Sequence, residues 1–498
     1  MVGTATGQGR LRLSILALAA VLGTLLCLHG LDRSLWLDEF GTLWVVEGAS
    51  ATAWERALAF QGQSPFYYLL TWLTVHGLGE SEVALRLPAL VCGFLTIVTL
   101  HRVGEEIGGR GLGSLCAALG LTSALLIDAS RSGRPYALAL LMATITLLGF
   151  LRATRGAPLG RALFVLGGVG LFYAHYVLAA FLVGLSVAYL LRPRLRRRYP
   201  TSRFALDVGV QLLLCLPGLG HLVALQGRAE SLNWIGHAQL SVFAIVLFPY
   251  LVPVFAGRLL RDRRAAERTH QAATVLVTAL CVQVLLLLGL AAAGTPLTAP
   301  RYMITIAVPA VVLAARGAWL MLHEPTPARI AVASFALLAY AGANAYQRGR
   351  LGLVMLEDWR GAVERVDALH GQEPSPVLYR SGFIEDDQRG EGRGVSNAVL
   401  SPLRSPGREP PTWDVVSLPA TWTGAPEMDA FLQGHVIPAV ERTGVALVLV
   451  RGRPEEYFDA LRGWLQERYT GRIEFDSVNG EGGMTTALVR IRPARSSD

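Results

Sequence analysis

The sequence contains no lysine, and only 16% of its 498 residues are charged, against 52% hydrophobic. Ordinary soluble domains carry roughly 25% charged residues, so the shortage points away from a purely water-soluble chain. The net charge of +8 rests on arginine alone. Those arginines cluster in short breaks between apolar runs, which is a topology signal and not the basic stripe of a nucleic-acid groove. Cysteine is scarce: Cys27, Cys92, Cys116, Cys215 and Cys281 lie inside apolar runs without paired spacing. That argues against a thiolate metal site and a disulfide framework. The first apolar run, Leu13 to Leu28, lacks a small-residue cleavage site, and Leu25-Leu26 before Cys27 is a poor lipoprotein signal. It reads as an uncleaved first span. No internal repeat stands out.

What is present is a succession of apolar runs of about 15 to 22 residues from Leu11 to about Tyr346. A hydrocarbon core about 30 Å thick needs roughly 20 apolar residues per helix. Eleven spans are expected, at about 13–31, 84–102, 112–127, 135–151, 160–174, 176–191, 205–224, 239–257, 272–292, 302–321 and 328–346. Arg10/Arg12, Arg102/Arg110, Arg152/Arg155/Arg161, Arg192–Arg203, Arg258–Arg268 and Arg329 fall at alternate ends, which the positive-inside rule makes cytoplasmic. The opposite ends carry Asp38/Glu39, Asp128, His175, Asn233/Trp234 and Pro300/Arg301. The stretch 160–191 is too long for one span at about 1.5 Å per residue and short for two. With both flanks Arg-rich, it reads as two short or broken spans turning at Ala174-His175. An odd total puts the N-terminus in the cytoplasm and everything after Tyr346 outside it, in a multi-pass plasma-membrane protein.

The first external loop, about 32–83, is long. Its aromatic stretch 52–78 would break the charge alternation as a span, and fits interfacial helices better. The expected division is a transmembrane module over 1–349, whose loop 32–83 carries an acidic motif, and an extracytoplasmic α/β domain over 350–498. In that tail WRGAVERVDAL reads as a helix and PVLYR as a strand. Residues 385–411 form a polar loop. VALVLV is a buried strand, EEYFDALRGWLQERY an amphipathic helix, and RIEFDSV and TTALVRIRP are strands.

The strongest candidate for chemistry is Leu35-Trp36-Leu37-Asp38-Glu39-Phe40. Two adjacent carboxylates between Trp36 and Phe40, just outside the first span, are partly desolvated and so suited to proton transfer. A solvated loop start is the plainer reading of a lone Asp-Glu pair. Gln63-Ser64-Pro65-Phe66-Tyr67-Tyr68 is, by itself, an aromatic belt. Ser130-Arg131-Ser132-Gly133-Arg134-Pro135-Tyr136 sets two arginines at an external end, against the usual bias. Forked guanidinium groups there suit a lipid phosphate, where ordinary snorkelling is the alternative. Tyr173-Ala174-His175-Tyr176 places a histidine at a helix break, and Pro300-Arg301-Tyr302 opens a further span with an outward arginine. Boundary charges of this kind are functional candidates.

The order Trp36-x-Asp38-Glu39, Ser64-Pro65-Phe66-Tyr67-Tyr68, Arg86-Leu87-Pro88, Ser130-x-x-x-Arg134-Pro135-Tyr136-Ala137-Leu138, Tyr173-Ala174-His175-Tyr176, Pro300-Arg301-Tyr302 resembles the bacterial branch of the protein O-mannosyltransferase and aminoarabinose transferase families, which are GT-C membrane glycosyltransferases. The resemblance covers about 30–350. Glu357-Asp358-Trp359-Arg360-Gly361-Ala362 is similar to the start of the external tail in such proteins. Two departures stand out. Gln63-Ser64-Pro65 replaces a frequent His-Pro-Pro, and Arg131-Ser132-Gly133 replaces a frequent Gln-Glu-Ala.

The resemblance implies transfer of a sugar from a polyprenyl-phosphate donor to an acceptor hydroxyl outside the cytoplasm, on a protein, lipid or glycan. Asp38 matches the family's catalytic aspartate and would act as general base with inversion, with Glu39 orienting the acceptor or supporting Asp38. Arg134 and Arg301, with His175 and Tyr302, would bind the donor phosphate. Trp36, Tyr67, Tyr68, Tyr136 and Asp128 fall to the acceptor or sugar pocket. A divalent cation near Asp38, Asp128 or His175 stays open, since hard cations need several oxygens and the lost acid at 132–133 weakens one position for it. The rival readings are a transporter or lipid-linked-glycan flippase, which would show polar midplane segments and repeats, and a membrane-anchored binding protein.

Overall fold

The computed structural model describes residues 21, 23–225, 240–260, 263–293, 297, 299–351, 357–383, 399–404, 406, 411–419, 426–451, 457–480 and 482–492. Residues 13–20 of the expected span 13–31, the Asn233/Trp234 end and most of the loop 385–411 lie outside them. The chain divides into two compact units.

The first unit comprises the described parts of Met1–Leu31, Gly48–Thr74 and Arg86–Val354. Among its described residues, seven helices are long and apolar enough to cross a membrane: Glu82–Gly108, Tyr136–Ala153, Thr201–Ala224, Ser241–Leu259, Arg263–Ala292, Pro300–Leu322 and Pro327–Gln347. The bent pair Arg110–Leu121 and Ala124–Ser130, angled by 63°, makes an eighth if counted as one span. Two shorter apolar helices, Pro158–Ala174 and Val177–Leu190, meet at His175, where the sequence places a break. Among the described residues the full-length spans number fewer than the eleven expected, because one expected span is kinked, two are short and the N-terminal part of the first lies outside the described residues.

The 300–322 segment forms the bundle's interior, with Met303, Ile304, Ala307, Val311, Ala314 and Ala318 buried. Leu212 and Leu213 on Thr201–Ala224, and Phe335 and Leu338 on Pro327–Gln347, are exposed, the expected face toward lipid. Small residues let backbones approach where apolar attraction between helices is absent. A Cβ on Gly257 would fall 2.4 Å from the Gly317 Cα, and one on Gly149 would fall 2.2 Å from the Phe164 nitrogen. At the expected cytoplasmic ends the arginines find carboxylates: Arg152 and Arg155 both reach Glu106, and Arg161 grips Asp207 bidentately at 2.6 and 2.8 Å. The stretch 52–78 forms two helices, Ser50–Phe60 and Phe66–Leu78.

The second unit comprises Asp32–Glu47, Val75–Leu85 and the described part of Met355–Asp498. Its five-stranded sheet has the order β2-β1-β3-β5-β4, with β1 Val377–Arg380, β2 Val415–Ser417, β3 Val445–Arg451, β4 Ile473–Asn479 and β5 Met484–Ile491. β1 runs parallel to β2 and β3, while β5 is antiparallel to β3 and β4. The run Val445-Ala446-Leu447-Val448-Leu449-Val450 is apolar throughout because β3 is central, with both faces covered. On Tyr457–Arg468, Phe458, Leu461 and Leu465 face inward at helical spacing. Each fully buried leucine contributes roughly 1.5–3 kcal/mol. The short segment Asp32–Glu47, assigned from sequence to the transmembrane module, clusters with this unit instead. Its reason is a set of hydrogen bonds to the tail.

Candidate active site

In the second unit, the acidic motif opens the helix Leu37–Val46. Trp36 precedes it in extended conformation (φ −98°, ψ 168°). An indole cannot accept a hydrogen bond, so Trp36 offers no side-chain cap. Glu39 reaches back instead, its Oε2 accepting from the Trp36 N–H at 3.3 Å. That is the carboxylate half of a capping box. Glu39 is fully buried and Asp38 only half-buried. The two neighbours therefore have unlike surroundings: Glu39 is committed to the helix start, while Asp38 keeps an accessible side chain on the first turn. Trp36 is buried, and its Nε1 has no hydrogen-bond partner among the described residues.

In the first unit, the break at His175 gathers the basic candidates. Pro158–Ala174 ends there, with His175 extended (φ −165°, ψ 114°) before a 3-10 turn, Val177–Ala179. The His175 ring stacks on Tyr136 at 6.1 Å between centroids and meets Tyr302 edge-on at 5.8 Å. The charges of Arg134 and Arg301 both act on it. His175 is 2% exposed, and neither ring nitrogen has a hydrogen-bond partner among the described residues. Leaving a buried polar group unpaired costs roughly 1–3 kcal/mol. Structures retain such a group where a ligand or water satisfies it.

Arg134 shows the other half of this cluster. Its NH1 and NH2 donate to Gln61 Oε1 at 3.0 Å and Gln63 Oε1 at 3.2 Å. The Tyr68 hydroxyl lies 2.9 and 2.7 Å from the same two oxygens and shares its one proton between them. These neutral amides help to hold the guanidinium in place. Gln63 thereby acquires a role in holding Arg134. Gln61 was not legible as a site residue; its only signal was the i, i+2 spacing from Gln63. Tyr67 packs edge-on against Tyr68 at 5.9 Å and is fully buried. Asp128 is buried on Ala124–Ser130 and accepts from the Gly349 N–H at 3.0 Å. Its visible bond is to a backbone turn and not to the Arg134–His175 group.

The described residues hold no cluster of three histidine, cysteine, aspartate or glutamate side chains suited to a metal ion. The donor set at 131–133, an arginine, a serine and a glycine, offers no carboxylate either. The described residues do not fit a resident divalent cation.

Residues 62–221 match the family model for dolichyl-phosphate-mannose-protein mannosyltransferases. Among solved structures, ArnT from Cupriavidus metallidurans in the apo state aligns over 99% of this chain and 100% of its own, at 13% identity and a TM-score of 0.54. This chain has the GT-C fold. The archaeal oligosaccharyltransferase AglB from Archaeoglobus fulgidus, solved with an inhibitory peptide and a dolichol-phosphate, aligns over 96% of this chain and 74% of its own, at 12% identity and a TM-score of 0.53. Arabinofuranosyltransferase AftD from Mycobacteria aligns over 98% of this chain, at 17% identity and a TM-score of 0.51; this chain spans 42% of that longer protein. No curated protein matches by sequence. The GT-C fold and its apolar helices make this a multi-pass membrane protein.

Proposed function

We propose that this GT-C protein transfers a sugar from a polyprenyl-phosphate-linked donor to an acceptor hydroxyl on the extracytoplasmic side of the membrane, with inversion. The observation that carries the reading is the buried set of Arg134, Arg301 and His175, two arginines whose charges act on a ring with neither nitrogen hydrogen-bonded among the described residues. Fixed cations suit a phosphate ester better than a neutral sugar. The family model over 62–221 and the dolichol-phosphate bound to AglB support the same donor class.

In this mechanism the acceptor oxygen attacks the anomeric carbon from the face opposite the phosphate. Its proton passes to the Asp38 carboxylate as the new carbon–oxygen bond forms. The anomeric carbon–phosphate oxygen bond breaks, and the lipid phosphate monoester leaves with the bonding pair. That leaving group needs charge stabilisation more than protonation, which is the task of Arg134 and Arg301. Glu39 fixes the turn on which Asp38 sits.

The reading is tested by incubating purified protein with a panel of radiolabelled polyprenyl-phosphate sugars and candidate acceptors. At least one donor should yield labelled acceptor, and Asp38→Asn should lower that turnover by about 10²–10⁴-fold while donor binding persists. Near-normal turnover in Asp38→Asn would remove Asp38 from the mechanism.

A further inference from the structure

Asp38 sits one residue inside its helix, so its aim depends on how the helix start is held. Within the second unit, the first helical N–H, on Leu37, donates to Glu357 Oε2 at 3.0 Å, across 320 residues of chain. The Trp359 Nε1 donates to the same oxygen at 2.8 Å. The other oxygen, Oε1, accepts from Arg451 through Nε at 2.9 Å and lies 2.8 Å from its NH2. The Glu357 side chain is 6% exposed. Three donors from different elements thus fix both of its oxygens: the acidic helix, the helix Trp359–Gln372 and the end of β3.

The surrounding contacts point the same way. The Trp359 ring meets Phe40 edge-on at 6.1 Å. Arg360 bonds the Asp32 carbonyl at 3.0 Å and pairs with Glu82, and its backbone N–H donates to Ser34 Oγ at 3.2 Å. At the far end of the helix, Arg404 reaches the Glu47 carboxylate at 3.1 Å. A carboxylate at a helix N-terminus also complements the helix dipole, and its charge-assisted bonds are stronger than neutral ones.

We infer that Glu357, clamped by Arg451 and Trp359, is a positioning residue that sets the orientation of Asp38. The C-terminal domain is then part of the catalytic apparatus and not only an appendage that selects acceptors. The inference rests on the reading of Asp38 as general base. Misplacing a reacting group by about 1 Å can cost about 10²-fold in rate, so the expected effect falls on kcat.

The test is a double-mutant cycle on the full-length protein in nanodiscs, with amide hydrogen exchange as a second readout. Glu357→Ala should lower kcat by roughly 10–100-fold while donor KM stays within about threefold; Glu357→Gln, which keeps one acceptor oxygen, should lose less. In an Asp38→Asn background, Glu357→Ala should cost under about twofold more, because a residue acting through Asp38 has nothing left to act through. The Leu37 amide should exchange at least about tenfold faster in Glu357→Ala, with Tyr136–Ala153 unchanged. Equal losses in both backgrounds, or unaltered exchange at Leu37, would overturn the inference. Should Glu357→Ala fail to insert, the same cycle with Glu357→Gln decides. Full turnover in Asp38→Asn would instead count against the general-base reading, while the exchange result still reports whether Glu357 holds the helix.

Discussion

Arg134 and Arg301 are both more than nine-tenths buried, in a segment where the plain expectation for an arginine is to reach the membrane surface. The sequence marks both positions but not their surroundings: Gln61, which completes the Arg134 fork, carries no motif of its own. Lysine keeps the charge and loses the planar fork. It cannot reproduce the paired bonds from Arg134 to Gln61 and Gln63. Arg134→Lys and Arg301→Lys should each lower kcat/KM for the donor by about tenfold or more, measured at limiting donor. The double variant should lose less than the product of the two, because groups on one ligand couple. Full activity in both single variants would return these arginines to a structural role. Glu39 teaches a related lesson. Adjacent to Asp38 in sequence, it is separated from it by burial, a difference that two neighbouring letters cannot show.

At the scale of elements, the turn at Ala174-His175 was legible because two Arg-rich flanks bracketed a stretch of awkward length. The helices and strands of the tail at 359–372, 377–380, 445–451, 457–468, 473–479 and 484–491 were legible from their periodicity. The strand Val415–Ser417 was not, since three residues carry no period. Nor was the attachment of Leu37–Val46 to the tail, because a bond from Leu37 to Glu357 spans a sequence separation that no local pattern encodes. Helix crossings were equally silent. The approach of Gly257 to Gly317 leaves no room for a methyl group, so Gly257→Ala should force Ser241–Leu259 away from Ala307–Leu322. The overpacking penalty is typically about 1–3 kcal/mol, and a lowered midpoint in thermal unfolding of the detergent-solubilised protein should report it. An unchanged midpoint would mean that the two helices adjust freely. In the tail, Leu461→Ala should cost about 2–5 kcal/mol by cavity formation, read as a lowered unfolding midpoint of the C-terminal unit.

For the whole molecule, composition announced a membrane protein, and the GT-C fold agrees. The count of spans was less legible, because a kinked helix and two short ones satisfy hydropathy without each crossing in full. Sidedness is proposed from arginine placement. A reporter active only outside the cytoplasm should be active when fused after residue 350 and silent when fused near Arg197; the reverse would invert the topology. The central claim is chemical, and one measurement addresses it most directly. Purified protein in vesicles receives a polyprenyl-phosphate sugar labelled in the sugar, and the product is analysed for label and anomeric configuration. The account predicts label on the acceptor with inverted configuration, and turnover lowered by about 10²–10⁴-fold in Asp38→Asn. Label that crosses the bilayer still joined to its lipid, with none on any acceptor, would contradict it and identify a flippase.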